Sequence, residues 1–367
     1  MTYRVIQWAT GTVGIHAVPA IVSHPDLELI GLWVHADDKA GRDAGELCGV
    51  APVGVTATQD AEALLALDAD CVCYMAHSDV RPGEVVDDLC RMLAGGKNVV
   101  NTSFVPLLYP EQAGFHDQLQ RACLEGGTSF YTSGIDPGFG NAGITIPALA
   151  LCKEITTVRM AEIVNYATWD NPFTMFEIMG FGKADPSQSL LLSPGSTALA
   201  WGPVVALVAK ALDVELDEIT EWHEVITADE AFTIASGPIA AGTISGMRFE
   251  IRGMVDGEAR IVVEHVTRLR DEDAPDWPQG GGYRIEVDGE PCVTIELSVS
   301  SHVGDHNHAG CLATAMHVLN AIPLVCDADP GVLTYLDLPV YTGRHLLSRS
   351  SAGASSHHQD SGVPGSS

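Results

Sequence analysis

The sequence predicts an α/β chain. An N-terminal doubly wound parallel sheet of the Rossmann type is followed by an α+β substrate and dimerisation domain with a mainly antiparallel sheet. Three observations predict it. Arg4–Trp8 reads as a short apolar strand, turns through the small residues Ala9–Gly11, and enters a helical pattern from Gly14 to Val22. Strands and helices then alternate as far as Ser133. From Ile155 the pattern changes to long strands with alternating polarity, such as Arg248-Phe249-Glu250-Ile251-Arg252.

Strand, glycine turn and helix is the context a dinucleotide fingerprint requires. Ala9, Gly11 and Gly14 occupy its three positions, with alanine for the first glycine. Gly11 lets the backbone approach a pyrophosphate, Gly14 lets the helix pack on the strand, and the helix N-terminus offers free N–H groups. The cofactor-binding candidates here are Ala9, Thr10, Gly11, Thr12, Val13 and Gly14.

The second strand, Leu27–Val34, ends where the adenosine ribose would lie. An NAD site usually places an acid there. This strand ends in His35-Ala36, and His35, Lys39 and Arg42 could receive a 2′-phosphate. That favours NADP; if Asp37 swings in, NAD is selected instead. Val53–Ala57 reads as the third strand, Asp70–Ala76 as the fourth, Asn98–Thr102 as the fifth and Thr128–Ser133 as the sixth. The carboxyl ends of such strands face the ligand crevice, which adds Ala76, His77, Asn101 and Thr102 to the cofactor candidates. Helices are expected at Ala61–Leu67, Val85–Ala94 and about Glu111–Glu125.

Gly134–Asn141 marks the exit from that sheet, close to the cofactor's reactive end. A helix over Ala142–Leu151 leads into the strands Ile155–Ala167, Glu221–Thr227, Ala231–Ala235, Thr243–Val255, Glu258–Leu269, Tyr283–Val287 and Cys292–Ser298, with a helix near Ser196–Leu212 among them. Asp256-Gly257 is a hairpin turn. Cys311–Ala321 reads as a helix that Ile322-Pro323 ends, and it should return to the first domain. The expected divisions are 1–141, 142–309, 310–345 and a disordered Ser/Gly/His-rich tail over 346–367.

A formal charge of −29 disfavours nucleic acid and anionic membranes as partners. No apolar run in the sequence has the length of a membrane span, and the N-terminus enters a strand at once, so no signal peptide is expected. Nine cysteines without paired spacing suit a reduced, cytoplasmic protein.

Proton chemistry needs a titratable group within reach of the reacting carbonyl or amine. Asp136 lies on the turn nearest the nicotinamide, or it merely bonds its own turn. His77 ends the fourth strand and contacts cofactor or substrate, or is a plain loop histidine. Glu162 faces the crevice from the first long strand, or faces solvent. Phe104, Asn141, Tyr166, Trp169, Phe173 and Met175 are candidates for an apolar substrate wall; such aromatics also serve as core. His302-Val303-Gly304-Asp305-His306-Asn307-His308 has metal-type ligands at short intervals, but reads better as a polar loop capping the last helix with Asp305 or Asn307, so no metal is expected.

The stretch 9–14, Lys39–Gly45, Gly134-Ile135-Asp136-Pro137-Gly138-Phe139, and the closing Ala309-Gly310, Ala313–Met316 and Asn320–Pro323 resemble the dihydrodipicolinate-reductase-like family. The closer branch is that of 2,4-diaminopentanoate dehydrogenase and the native amine dehydrogenases. The resemblance implies reductive amination of a small ketone with ammonia by NAD(P)H, or the reverse, in a homodimer built through the middle-domain sheet. It also implies a glutamate in the loop after the fifth strand, where this chain reads Asn101-Thr102-Ser103-Phe104-Val105-Pro106 and the nearest acid is Glu111. A ketone or imine reductase without ammonia chemistry, or a nucleotide-sensing protein without turnover, are the alternatives.

Overall fold

The computed structural model describes residues 2–76 and 82–347. The tail expected to be disordered lies outside them from residue 348 onward.

The N-terminal half alternates as the sequence reads. It runs β1 (Tyr3–Trp8), α1 (Gly14–Ser23), β2 (Leu27–Trp33), α2 (Ala44–Leu47), β3 (Ala57–Thr58), α3 (Ala61–Leu65), β4 (Cys71–Tyr74), α4 (Pro82–Ala94), β5 (Asn98–Asn101), α5 (Pro110–Ala113), α6 (His116–Gly126) and β6 (Ser129–Thr132). The third strand is shorter than expected. The helix expected over Glu111–Glu125 is two helices, because Gly114 takes a left-handed φ of 75° and ends α5 after one turn.

The C-terminal half runs α7 (Ile144–Leu149), β7 (Glu154–Asn165), α8 (Ser196–Ala211), β8 (Glu218–Thr227), β9 (Phe232–Ile234), β10 (Gly237–Ile239), β11 (Ile244–Val255), β12 (Glu258–Arg268), β13 (Gly282–Glu290), β14 (Val293–Leu297), α9 (His306–Asp327) and β15 (Gly331–Leu333). Asp256 and Gly257 both take positive φ, 52° and 74°, as a tight hairpin between β11 and β12 demands. The segment read as a strand over Ala231–Ala235 forms a separate two-stranded ribbon with β10. The last helix does not stop at Pro323. It continues to Asp327 because Ala321, Ile322, Pro323 and Val325 are all buried, and their packing outweighs the hydrogen bond that proline removes.

Two sheets result. The first has seven strands in the order β15-β6-β5-β4-β1-β2-β3, all parallel, with separate apolar cores on its two faces. Its seventh strand, β15, paired with β6 at the edge, comes from the C-terminal segment. The second has six strands in the order β14-β13-β7-β12-β11-β8, antiparallel except where β12 runs parallel to β7. The inner face of this sheet, with Val158, Met160, Val263, Phe249 and Ile285, shares one apolar core with α8. Among the described residues α9 alone is long and apolar enough to cross a membrane, and half of it is buried in the fold.

The turn from β1 into α1 explains its own small residues. Gln7 Nε2 donates to the Ala9 carbonyl at 2.9 Å, and a β-carbon on Gly14 would overlap that same oxygen. Ala9, at the first fingerprint position, takes a φ of 77°, where glycine is at no disadvantage. Gly14→Ala is therefore expected to destabilise the fold by about 1–3 kcal/mol through overpacking. Equal urea midpoints for variant and wild type would contradict this account of the turn.

Candidate active site

The fingerprint turn opens onto a cavity of about 510 Å³ bounded by Ala9, Thr10, Gly11, Trp33, His35 and Lys39, with Met75 and Ala76 on its floor. Its chemistry fits a dinucleotide. The first turn of α1 holds no acid, and nothing lies within 4 Å of where a Gly11 β-carbon would be, so backbone N–H groups are open to an anion. Trp33, stacked on Trp8 at 5.0 Å, gives a flat apolar wall. Lys39 Nζ donates to the Thr10 carbonyl at 3.0 Å and to Thr10 Oγ1 at 3.2 Å, placing one cation on the rim. Asp37 is held by Gln59 Nε2 at 3.0 Å and does not line the cavity; neither does Arg42, which is exposed.

A second cavity, about 290 Å³, lies between the two sheets. Val13, Thr102 and Ile135 border it from the first sheet, and Gly310, Cys311 and Thr314 from α9. Glu162, Val164, Tyr166 and Tyr283 close it from the second sheet, and Asp136 from the turn between the halves.

The second sheet builds the polar wall by register. Tyr283 on β13, Glu162 on β7, His265 on β12 and Phe249 on β11 stand side by side in one row. Residues two apart on these strands, Met160, Val263 and Ile285, are core. Glu162 and His265 therefore interrupt an apolar face, and both are buried. His265 Nδ1 lies 3.1 Å from Glu162 Oε2. Its Nε2 lies 3.4 Å from Asp136 Oδ1, an ion-pair distance without the direction of a hydrogen bond. Trp201 Nε1 donates to Asp136 Oδ1 at 2.8 Å, and Tyr166 donates to Glu162 Oε2 at 3.1 Å. The imidazole is stacked on Phe249 with centroids 4.8 Å apart, and the Trp201 ring leans on it at 4.4 Å.

Electrostatics follow from this enclosure. Burial alone would lower the His265 pKa, but the Asp136 and Glu162 carboxylates outweigh it and hold it up at about 10. The ring is thus an imidazolium at neutral pH. Burial, then the Glu162 charge, pushes the Tyr166 and Tyr283 phenols well above their ordinary value, so both stay protonated donors.

The sequence profile of the 2,4-diaminopentanoate dehydrogenase C-terminal domain matches residues 150–351. An amine dehydrogenase of Streptomyces virginiae is 37% identical over 345 residues, which covers 91% of this chain and 96% of that protein. The chain belongs to this amine dehydrogenase family. The 2,4-diaminopentanoate dehydrogenase of Acetoanaerobium sticklandii is 26% identical, covering 69% of this chain and 70% of that one. The solved structure of the amine dehydrogenase from Mycobacterium smegmatis shares the fold, with a TM-score of 0.75 at 20% identity, covering 93% of this chain and 97% of that one.

Within this family member the residues singled out from sequence fall into three groups. Thr10, Gly11, His35, Lys39 and Ala76 line the first cavity, and Val13, Thr102, Asp136, Glu162, Tyr166 and Trp169 the second. Others shape the walls from behind. Asn101 is buried, with Nδ2 donating to Thr132 Oγ1 at 3.0 Å, and Asn141 Oδ1 accepts from the Gly138 and Ala142 N–H groups. Phe104 and Met175 sit in apolar cores rather than on the cavity wall, and Phe173 is at the surface. Thr12 is exposed at the turn. His77 lies outside the described residues. Glu111, the nearest acid after β5, is exposed and bonded to Tyr109.

The histidine-rich loop caps α9. Asp305 accepts from the His308 N–H at 3.1 Å and from Thr168, and His306 and Asn307 donate to the Asn165 carbonyl. His265, Trp201 and Tyr283 were not among the sequence candidates. The alternation Ile261, Val263, His265 was the available signal, because it puts the histidine on the face that must be buried.

The folded chain binds the His265 proton more tightly than the unfolded chain, whose value is 6.5. This contribution is complete below pH 6.5 and is lost as pH rises through about 10. Urea titrations across that window are expected to show stability falling by roughly a kcal/mol per pH unit from this group. His265→Gln should flatten the slope; parallel slopes in both proteins would show that His265 is not protonated at neutral pH.

Proposed function

We propose that the protein is a nicotinamide-dependent amine dehydrogenase that condenses ammonia with a small, largely apolar ketone and reduces the product, or runs the reverse. The observation that carries this is the buried Glu162–His265–Asp136 group on the wall of a cavity whose opposite wall is the end of the parallel sheet. Val13, Thr102 and Ile135 would border the nicotinamide end of the dinucleotide, which supplies or accepts the hydride when bound.

The chain's own residues handle charge and protons. Glu162 faces the cavity and relays two protons of an entering ammonium ion to the carbonyl oxygen, one as the C–N bond forms and one as the hydroxyl leaves as water, so that ketone and ammonium become iminium and water. The resulting iminium is cationic. Two carboxylates against one imidazolium leave the wall net negative, so it stabilises that cation more than the neutral ketone. His265 holds both carboxylates in place and keeps them from repelling each other. Among the described residues no lysine or arginine lines the cavity, so a substrate carboxylate would bring an unpaired anion beside Glu162 and Asp136. This favours ketones and amines without an acid group.

NADP is the carrier we favour. Lys39 and His35 line the adenosine cavity while Asp37 is turned to Gln59, which leaves a cation and no acid for a 2′-phosphate. We place the enzyme in the cytoplasm, where its nine free cysteines stay reduced, and infer a homodimer through the outer face of the second sheet. That face carries Arg159, Arg248 and Arg252 around the buried Glu250 and Glu264.

A ketone or imine reductase without ammonia chemistry is the second reading, since the loop after β5 gives the cavity Thr102 and no acid. NADPH consumption across a panel of small ketones decides between them. It should require ketone and ammonia together, and turnover indifferent to ammonia would leave the reductase. Glu162→Gln should lower kcat by about 10²–10⁴-fold with dinucleotide affinity unchanged. Lys39→Ala should weaken NADPH binding by about tenfold, as for one lost charged hydrogen bond, and NADH binding much less; equal losses for both carriers would refute the NADP preference.

A further inference from the structure

The turn that presents Asp136 is gripped from behind by the C-terminal segment. Ser133 and Gly138 meet as the chain folds back: Gly138 has a φ of 151°, and a β-carbon there would lie 2.9 Å from Ser133 Oγ. The Phe139 N–H donates to the Gly134 carbonyl at 2.8 Å, and Asn141 Oδ1 accepts from the Gly138 N–H at 2.9 Å, so the loop closes on itself.

Tyr335 ties this closed loop to the body of the protein. Its ring lies against Gly143, where a β-carbon would come within 2.9 Å of Cε1. Its hydroxyl reaches Ser133 Oγ at 2.6 Å and His317 Nε2 at 2.7 Å. His317 also meets the Tyr341 hydroxyl at 2.7 Å, and Tyr341 meets Tyr131 at 3.3 Å. Burial pushes the His317 pKa down to about 4 and the Tyr335 phenol up, so this chain of hydrogen bonds is uncharged at neutral pH. None of its side chains lines the central cavity.

We propose that Tyr335 is a positioning residue for the reaction: through Ser133 and His317 it sets where the Asp136 carboxylate stands relative to Glu162 and His265. The margin is narrow. Asp136 must stand 2.8 Å from Trp201 Nε1 and 3.4 Å from His265 Nε2 at once, and the only covalent route to it is the turn that Tyr335 holds. Small misplacements of a catalytic group cost large factors in rate. The proposal rests on the amine dehydrogenase reading for its kinetic test, but one measurement is independent of it.

Tyr335→Phe keeps the ring and removes the hydroxyl. It should lower kcat by about tenfold while the ketone KM and NADPH affinity stay unchanged. The His265 imidazole, followed by NMR titration, should lose about one pKa unit as the Asp136 carboxylate moves off. His317→Gln keeps an acceptor for Tyr335 and should retain wild-type kcat; His317→Leu should match Tyr335→Phe. An unchanged kcat and an unchanged His265 titration in Tyr335→Phe would overturn the proposal. So would a parallel loss of kcat, ketone binding and cooperative unfolding, which marks a merely structural role. If wild type shows no ammonia-dependent turnover, the functional reading fails, and the His265 titration still decides the role of Tyr335.

Discussion

The site depends on an imidazolium held between two buried carboxylates. Burying three ionisable groups is costly, and attraction repays it only when geometry and hydrogen bonds are good. Here they are supplied from all sides. Trp201 donates to Asp136, Tyr166 to Glu162, Phe249 stacks on the ring that separates the two acids, and the tilted Trp201 ring packs against both. Removing His265 would leave two like charges facing each other in an apolar setting, whereas removing one acid would leave the other still paired.

That arrangement is inherited from sheet register. Glu162, His265 and Tyr283 share a row only because β7 pairs in parallel with β12 and antiparallel with β13. A slip of one residue in either pairing would turn the partner side chain to the outer face, where Glu264 meets Arg159 and Arg248. Asp136 reaches the row from the other direction, on a turn leaving the parallel sheet, with Thr314 of α9 accepting from the Ile135 N–H at 3.1 Å. The second sheet thus contributes Glu162 and His265, and the turn leaving the first contributes Asp136.

Much of the first half was legible in the residues. Continuous apolar runs such as Cys71–Tyr74 and the glycine turn at Ala9–Gly14 have local causes, and local causes show in sequence. Asp256-Gly257 likewise announces its hairpin. The carboxylates Asp136 and Glu162 were legible as candidates, but the burial of Glu162 was not, because one acid in an alternating strand fits either face. His265 was missed since its role exists only through strands distant in sequence. Phe104 and Met175 have the side chains of a pocket wall and lie in cores, a distinction that packing alone makes. Pro323 signalled a helix end that burial overrode.

The parallel pairing of β7 with β12 has a consequence for the order of assembly. During synthesis the first seven-stranded layer, save its last strand, emerges whole, while β7 waits for β12 and β13 to arrive far later in the chain. A nascent or truncated chain ending before β12 holds the fingerprint turn and both acids, but not the histidine that keeps them apart.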